Sequence, residues 1–184
     1  MNKVIFAGGC FWCVEHDLHE AEGVLSVTSG YSGGTTPNPT YDNHGDYREA
    51  VEVEYNPSKT SFTKLAQFFL EHIDPTDEGG QFADRGASYR SAIFYATEEE
   101  KEIAENFLAE LDASHIYEKP MTVEILKAGQ FYKAEEYHQN YAEKNPDHYA
   151  SYRKGSGRED FINRTCAIRE EKHIAWSDTG SKNK

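Results

Sequence analysis

Hydrophobic and polar positions along this chain follow two periods, one of two residues and one near 3.6, and the switches between them mark its elements. Residues 3–9, KVIFAGG, form a short apolar run halted by Gly8 and Gly9, which predicts a buried strand that delivers Cys10 to the start of a helix over roughly residues 10–20. GVLSVTSGYSGG (23–34) predicts a second strand closed by glycines, and the turn-rich, polar TTPNPTYDNHGDY (35–47) predicts a loop. In EAVEVEYNP (49–57), Val51, Val53 and Tyr55 alternate with Glu52 and Glu54, the period of a strand with one face in water, and Asn56-Pro57 ends it. Phe62, Leu65, Phe69 and Ile73 then recur at helical spacing until Asp74-Pro75 supplies a stop. A polar, glycine-containing loop leads into the strand-like YRSAIFYA (89–96). Thr97 and Glu100 have capping-box spacing before a helix that carries Ala104, Phe107, Leu108 and Leu111 on one face. MTVEILKAG (121–129) predicts a further strand, and AEEYHQNYAEKN (134–145) a further helix before Pro146. From about Arg169 the chain turns polar and aperiodic, so the expected organisation is one domain over residues 1–168 and a loose polar tail over 169–184. This order mixes hairpin-like pairs with crossings, which suits an α+β sandwich better than a regular parallel sheet.

Composition narrows the classes of partner. Nineteen basic residues against thirty-two acidic ones give a net charge of −13, which argues against nucleic acid or an anionic membrane as the main partner. The N-terminal residues do not have the pattern of a secretion signal and no apolar run approaches membrane-spanning length, so a cytoplasmic location is expected. Three cysteines are an odd number in a chain of 184 residues, too large to need stapling, and point to reactive thiols rather than a disulfide framework.

Two of those thiols stand in GGCFWC, residues 8–13. A thiol acts as a nucleophile in its thiolate form, and a helix start behind a Gly-Gly turn offers backbone N–H groups and the positive end of the helix dipole. Cys10 is well placed for this, and Cys13, one turn further in, less so. A pair of inert, buried cysteines is the plainer alternative. Zinc held by Cys10, Cys13, His16 and His19 is another, but four ligands on one short helix cannot all surround a single ion, so no metal is expected. Phe11 and Trp12 could serve as core, yet beside a thiolate their faces make a floor for a small apolar group, and sulfur–aromatic contact favours a thioether. A sulfur-bearing substrate is the expectation.

Taken in order, GGCFWCVE, GVLSVTSGYSGG, NPTY, REAVEVEYNP, HIDPTDEGGQFADRGASYRS and AEEYHQNYAEKNP resemble the successive motifs of the A-type peptide methionine sulfoxide reductases, from about residue 3 to 160. The resemblance implies a two-layer α+β sandwich with a ferredoxin-like core. It also implies reduction of methionine S-sulfoxide, free or in proteins, by thiol chemistry without a cofactor, with thioredoxin as electron donor. Cys10 matches the family's nucleophile, which leaves the reaction as a sulfenic acid. Phe11 and Trp12 match the residues that hold the substrate methyl; Tyr41, Asp84 and Tyr89 match polar groups around the sulfoxide oxygen; Glu49 matches the acid catalyst. An acid is what the chemistry needs, because the oxygen becomes a leaving group only as a proton reaches it.

The chain departs from the family pattern at three places. Residues 42–49, DNHGDYRE, are shorter than the usual stretch and do not end in Gly-His-Ala-Glu; position 88 is Ser where Gln is common; and Cys13 stands where many members have Gly. The sulfenic acid can condense with Cys13, close in sequence, or with Cys166 in FINRTCAI, near an end of the chain expected to move. Cys166 is preferred, because a flexible segment can reach a buried sulfenic acid, whereas Cys13 needs the first helical turn to permit a short bridge. The second reading of the residues themselves is a thioredoxin-type oxidoreductase, on strand-CxxC-helix and on Pro120 before the strand MTVEI.

Overall fold

A computed structural model describes residues 2–172 of the 184. Eight strands, β1 (Asn2–Ala7), β2 (Val24–Ser32), β3 (Arg48–Tyr55), β4 (Gly80–Gln81), β5 (Asp84–Arg85), β6 (Ala92–Tyr95), β7 (Glu124–Lys127) and β8 (Tyr132–Lys133), alternate with six helices. The helices are α1 (Phe11–His19), α2 (Phe62–Glu71), α3 (Glu98–Ala113), α4 (Tyr141–Lys144), α5 (Pro146–Gly155) and α6 (Arg158–Glu171). Six strands form one sheet in the order β7-β6-β1-β3-β2-β8, antiparallel throughout except for the parallel pair β6/β7. That pair is joined through α3, as a parallel connection requires a crossover. β4 and β5 make a separate small hairpin. The mixed sheet with helices against it is the α+β sandwich expected from the order of elements.

The two faces of the sheet follow from the two-residue period. Val4 and Phe6 of β1 join Val51 and Val53 of β3 in the main core, with Val14 and Leu18 of α1, Leu65 and Phe69 of α2, and Phe107 of α3. Ile5 and Ala7 point the other way, with Ala50 and Phe94, in a smaller cluster partly covered by Phe131. On that second face Lys3 pairs with Glu52 at 2.8 Å and Glu54 at 3.0 Å. α3 starts with the expected capping box, Thr97 accepting from the Glu100 N–H and Glu100 reaching back.

The structure departs from the sequence expectation after residue 130. AEEYHQNYAEKN is not one helix: a single 3₁₀ turn at Glu136–His138 and the short α4 are separated by Gln139 in extended backbone and Asn140 in the left-handed region. Gln139 is the reason. Its buried amide bonds both the N–H of Ser29 (3.0 Å) and the carbonyl of Ser29 (2.9 Å), and also the carbonyl of Ala134 (3.0 Å), so the segment is stitched along β2 and cannot coil. Beyond it, α5 and α6 are helices that the sequence expectation does not contain. α6 runs through Glu171 with Arg169 buried, so the first residues of the expected tail are helical, and residues 173–184 of it lie outside the described residues. No helix among the described residues is long and apolar enough to cross a membrane.

Candidate active site

The site is built where β1 turns into α1. Gly8 and Gly9 make that turn possible: a side chain at Gly8 would meet Phe69 at 2.7 Å, and Gly9 has φ +83° with Gln81 2.4 Å from where its Cβ would lie. Cys10 is the N-cap of α1 and offers no side-chain cap, so the first N–H groups of the helix look for other partners. One is found across the sheet. Glu49 lies two residues before Val51 on β3 and therefore on the same, helix-covered face, and its carboxyl accepts the N–H of Phe11 at 3.0 Å.

A cavity of about 190 Å³ opens at this point, lined by Cys10, Phe11, Trp12, Tyr41, Glu49, Asp84, Tyr89 and Tyr152. It gathers side chains from α1, β3, the loop before it, the β4–β5 region, the turn before β6, and α5. Burial pushes Glu49 up to about 8; the Phe11 N–H opposes the shift, Asp84 adds to it, and a hydrogen bond from Tyr89 opposes it again. A neutral carboxylic acid thus stands in the cavity at pH 7. Burial also raises Tyr41, Tyr89 and Tyr152, so all three phenols keep their protons and can donate. Tyr41 is fixed from behind by Glu135, which accepts its N–H at 2.9 Å. Asp46, near Glu49 in sequence, is taken out of the chemistry: Thr35 and Thr36 donate four backbone and hydroxyl groups to it, and those bonds hold it firmly as a carboxylate.

The apolar wall is equally fixed. Trp12 stacks on Tyr141 with ring centroids 3.7 Å apart, and its indole N–H donates to His138 Nδ1 at 3.1 Å. His138 is buried against Phe11 and Tyr41, and burial lowers its proton affinity, keeping Nδ1 free to accept. Tyr152 and His138 are site residues that the sequence reading missed. Tyr149, Tyr152 and Arg153 recur at i, i+3, i+4 after Asn145-Pro146, a helix-start signal that could have found Tyr152. His138 has no such signal, since only the Gln139 stitching brings it under Trp12.

A family model described as peptide methionine sulfoxide reductase matches residues 2–170. The chain belongs to that family. It is 51% identical over 161 residues to the peptide methionine sulfoxide reductase MsrA of Bacillus velezensis, covering 85% of this chain and 91% of that one. Among solved structures, methionine sulfoxide reductase A of Corynebacterium diphtheriae superposes with a TM-score of 0.69 at 36% identity, covering 78% of this chain and 74% of that one. Mxr1 from Saccharomyces cerevisiae in complex with Trx2 superposes at 0.50 with 25% identity, covering 77% and 84%. Membership of the methionine sulfoxide reductases sets aside the thioredoxin-type reading of the CxxC.

Within this reductase fold the three cysteines have different surroundings. Cys10 and Cys13 are buried and hydrogen-bonded to each other, and Tyr149 packs over both. Burial and the bond to Cys13 push the Cys10 thiol up, whereas the bond from Cys10, with Arg158 and Arg153 beyond it, pulls Cys13 down. Cys13 is therefore the more acidic of the two thiols, the reverse of what a helix start alone would give. Cys10 faces the cavity and Cys13 does not. Cys166 is exposed in the middle of α6, eight residues beyond Arg158, or about 12 Å of helix axis. The sequence favoured it as the resolving thiol for its place near an end expected to move, but it stands in regular helix. Among the described residues no group of three or more potential ligands is arranged to hold a metal ion.

Proposed function

We propose that this chain reduces methionine S-sulfoxide to methionine, free or within proteins, with Cys10 as nucleophile, Glu49 as proton donor and Cys13 as the thiol that resolves the sulfenic acid. The observation that carries the reading is the meeting, in one cavity of about 190 Å³, of a cysteine sulfur, a neutral buried carboxylic acid and an immobilised aromatic wall. The substrate methyl lies against Phe11 and Trp12, and the oxygen points to Glu49 with Tyr41 and Tyr89 as further donors. Asp84, which accepts from Tyr152, orients that phenol beside Cys10. Cys10 gives up its proton and bonds the sulfoxide sulfur as Glu49 protonates the oxygen. The S–O bond then breaks, the hydroxyl passes to the Cys10 sulfur as the thioether leaves, and the proton given up by Cys10 restores that of Glu49, so a thiol and a sulfoxide become a sulfenic acid and a thioether. Cys13 then attacks the Cys10 sulfur, water leaves, and a disulfide remains.

The Cys13 assignment is supported by its contact with Cys10, against an α6 that holds Cys166 in regular helix. The electron donor we propose is a thioredoxin, since a relative of 25% identity is known in complex with Trx2. The test is methionine formed per enzyme with dithiothreitol or thioredoxin as donor. Cys10→Ser should form none with either. Cys13→Ser should lose turnover with thioredoxin while still giving one methionine per enzyme, and Cys166→Ser should keep both; full thioredoxin-linked turnover in Cys13→Ser would overturn the resolving role.

A further inference from the structure

The side of the cysteine pair away from the cavity is flanked by two cations that attack on the sulfoxide does not use. Asp17 stands one turn after Cys13 on α1 and accepts from Arg153 at 2.8 Å. Arg153 also donates to the Tyr149 hydroxyl at 3.0 Å, and Tyr149, one turn earlier on α5, is the residue packed over both cysteines. From α6, the fully buried Arg158 donates to the carbonyls of Gly8 at 2.7 Å and His72 at 2.9 Å, which holds its guanidinium behind the turn that carries Cys10. Neither arginine lines the cavity. Neither does Cys13, so of the two sulfurs only that of Cys10 can be met from outside.

We infer that an external thiol reduces the Cys10–Cys13 disulfide by attacking Cys10, and that Cys13 is the leaving sulfur, with Arg153 and Arg158 as positioning residues that receive its negative charge. This rests on the reading of Cys13 as the resolving cysteine. The reductant's thiolate forms a bond to the Cys10 sulfur as the Cys10–Cys13 bond breaks, and the electron pair goes to Cys13. The reductant's second thiol then closes on its first and releases Cys10, so the dithiol is oxidised as the protein disulfide is reduced. Thiol–disulfide exchange is faster when the leaving thiol has a low proton affinity. A thiolate shut away from water is costly unless it is paired. The titratable and charged groups whose fields reach Cys13 are Cys10 and Asp17 from α1, Glu49 from β3, Tyr149, Tyr152 and Arg153 from α5, and Arg158 from α6; only the arginines carry positive charge.

Two measurements test this. Protein oxidised with methionine sulfoxide is mixed with a thioredoxin whose second cysteine is serine, and the trapped adduct is digested and mapped. We expect it on Cys10; an adduct on Cys13 overturns the inference. The oxidised Arg153→Met and Arg153→Lys variants are then reduced with dithiothreitol at pH 7. Arg153→Met should react about tenfold more slowly and Arg153→Lys within about threefold of the parent. Equal rates for parent and Arg153→Met overturn the role of the guanidinium. Peptide mapping before reductant is added separates the two readings: a missing Cys10–Cys13 bond removes the resolving role itself, whereas that bond with an adduct on Cys13 removes only this inference.

Discussion

Glu49 shows how a single position acquires a task. In the sequence it is one acid among thirty-two Asp and Glu residues, and a wet surface is the ordinary place for it. Its parity on β3 says otherwise, because it shares the face of Val51 and Val53 while Glu52 and Glu54 share the face that pairs with Lys3. The proton it holds in the folded state, up to about 8, is one an unfolded glutamate releases at about 4.3. Stability from this group is therefore full at acidic pH and is lost as pH rises through that interval towards about 8. Glu49→Gln keeps an acceptor for the Phe11 N–H without the ionisation, so its melting temperature relative to the parent should be more favourable at pH 8 than at pH 5, as read by calorimetry. The same substitution removes the proton donor. Losing a general acid typically costs about two to four powers of ten, so the single-turnover rate of methionine formation should fall at least roughly a hundredfold, with Glu52→Gln changing little. A near-parental rate in Glu49→Gln would move the acid role elsewhere.

At the scale of elements, α1 and β3 could be read from the sequence, and α5 carried a signal that is easily passed over. The Gly-Gly stop and the alternation around Val51 are local signals of high contrast, and both elements formed where expected. α5 has a mean composition close to that of a surface helix, and only its i, i+3, i+4 set of Tyr149, Tyr152 and Arg153 marks it as facing something. What it faces is the cysteine pair: Tyr152 donates to Asp84 and bonds Cys10, while Tyr149 covers Cys10 and Cys13. The Tyr152 bond opposes the rise that burial imposes on the Cys10 thiol. Tyr152→Phe should therefore move the pH profile of Cys10 alkylation by iodoacetamide to higher pH. The rate at pH 7 should fall with it, by about tenfold if the midpoint rises by about one pH. An unchanged profile would mean that α5 contributes packing alone.

At the scale of the whole molecule, the cavity has a hand. Its sulfur, its proton donors and its aromatic wall come from different elements and are each fixed, by Glu135 behind Tyr41, by Tyr141 and His138 around Trp12, and by the Phe11 N–H on Glu49. A sulfoxide sulfur bears four different groups counting its lone pair, so only one epimer can put oxygen at Glu49 and methyl on Trp12 while facing Cys10. The resemblance to the A-type reductases makes that epimer the S form, so separated epimers of a methionine sulfoxide peptide should show turnover of the S form alone, and equal turnover of both would refute this arrangement of the site. By itself the sequence determined the elements whose signals are local, namely the strand-turn-helix that carries Cys10, the two-faced strand of Glu49 and the capped helix at Thr97. It also carried the family resemblance, because ordered motifs survive without knowledge of contacts. Only the tertiary structure decided the fate of residues 134–145, where Gln139 bonding to the backbone of β2 outweighs helical propensity. It alone decided, too, which of the two thiols is the more acidic. That choice is made by the hydrogen bond between Cys10 and Cys13, by the burial of Cys10 and by the guanidinium groups of Arg158 and Arg153, brought to Cys13 from about 140 residues away, and no periodicity along a chain encodes a field assembled across such a distance.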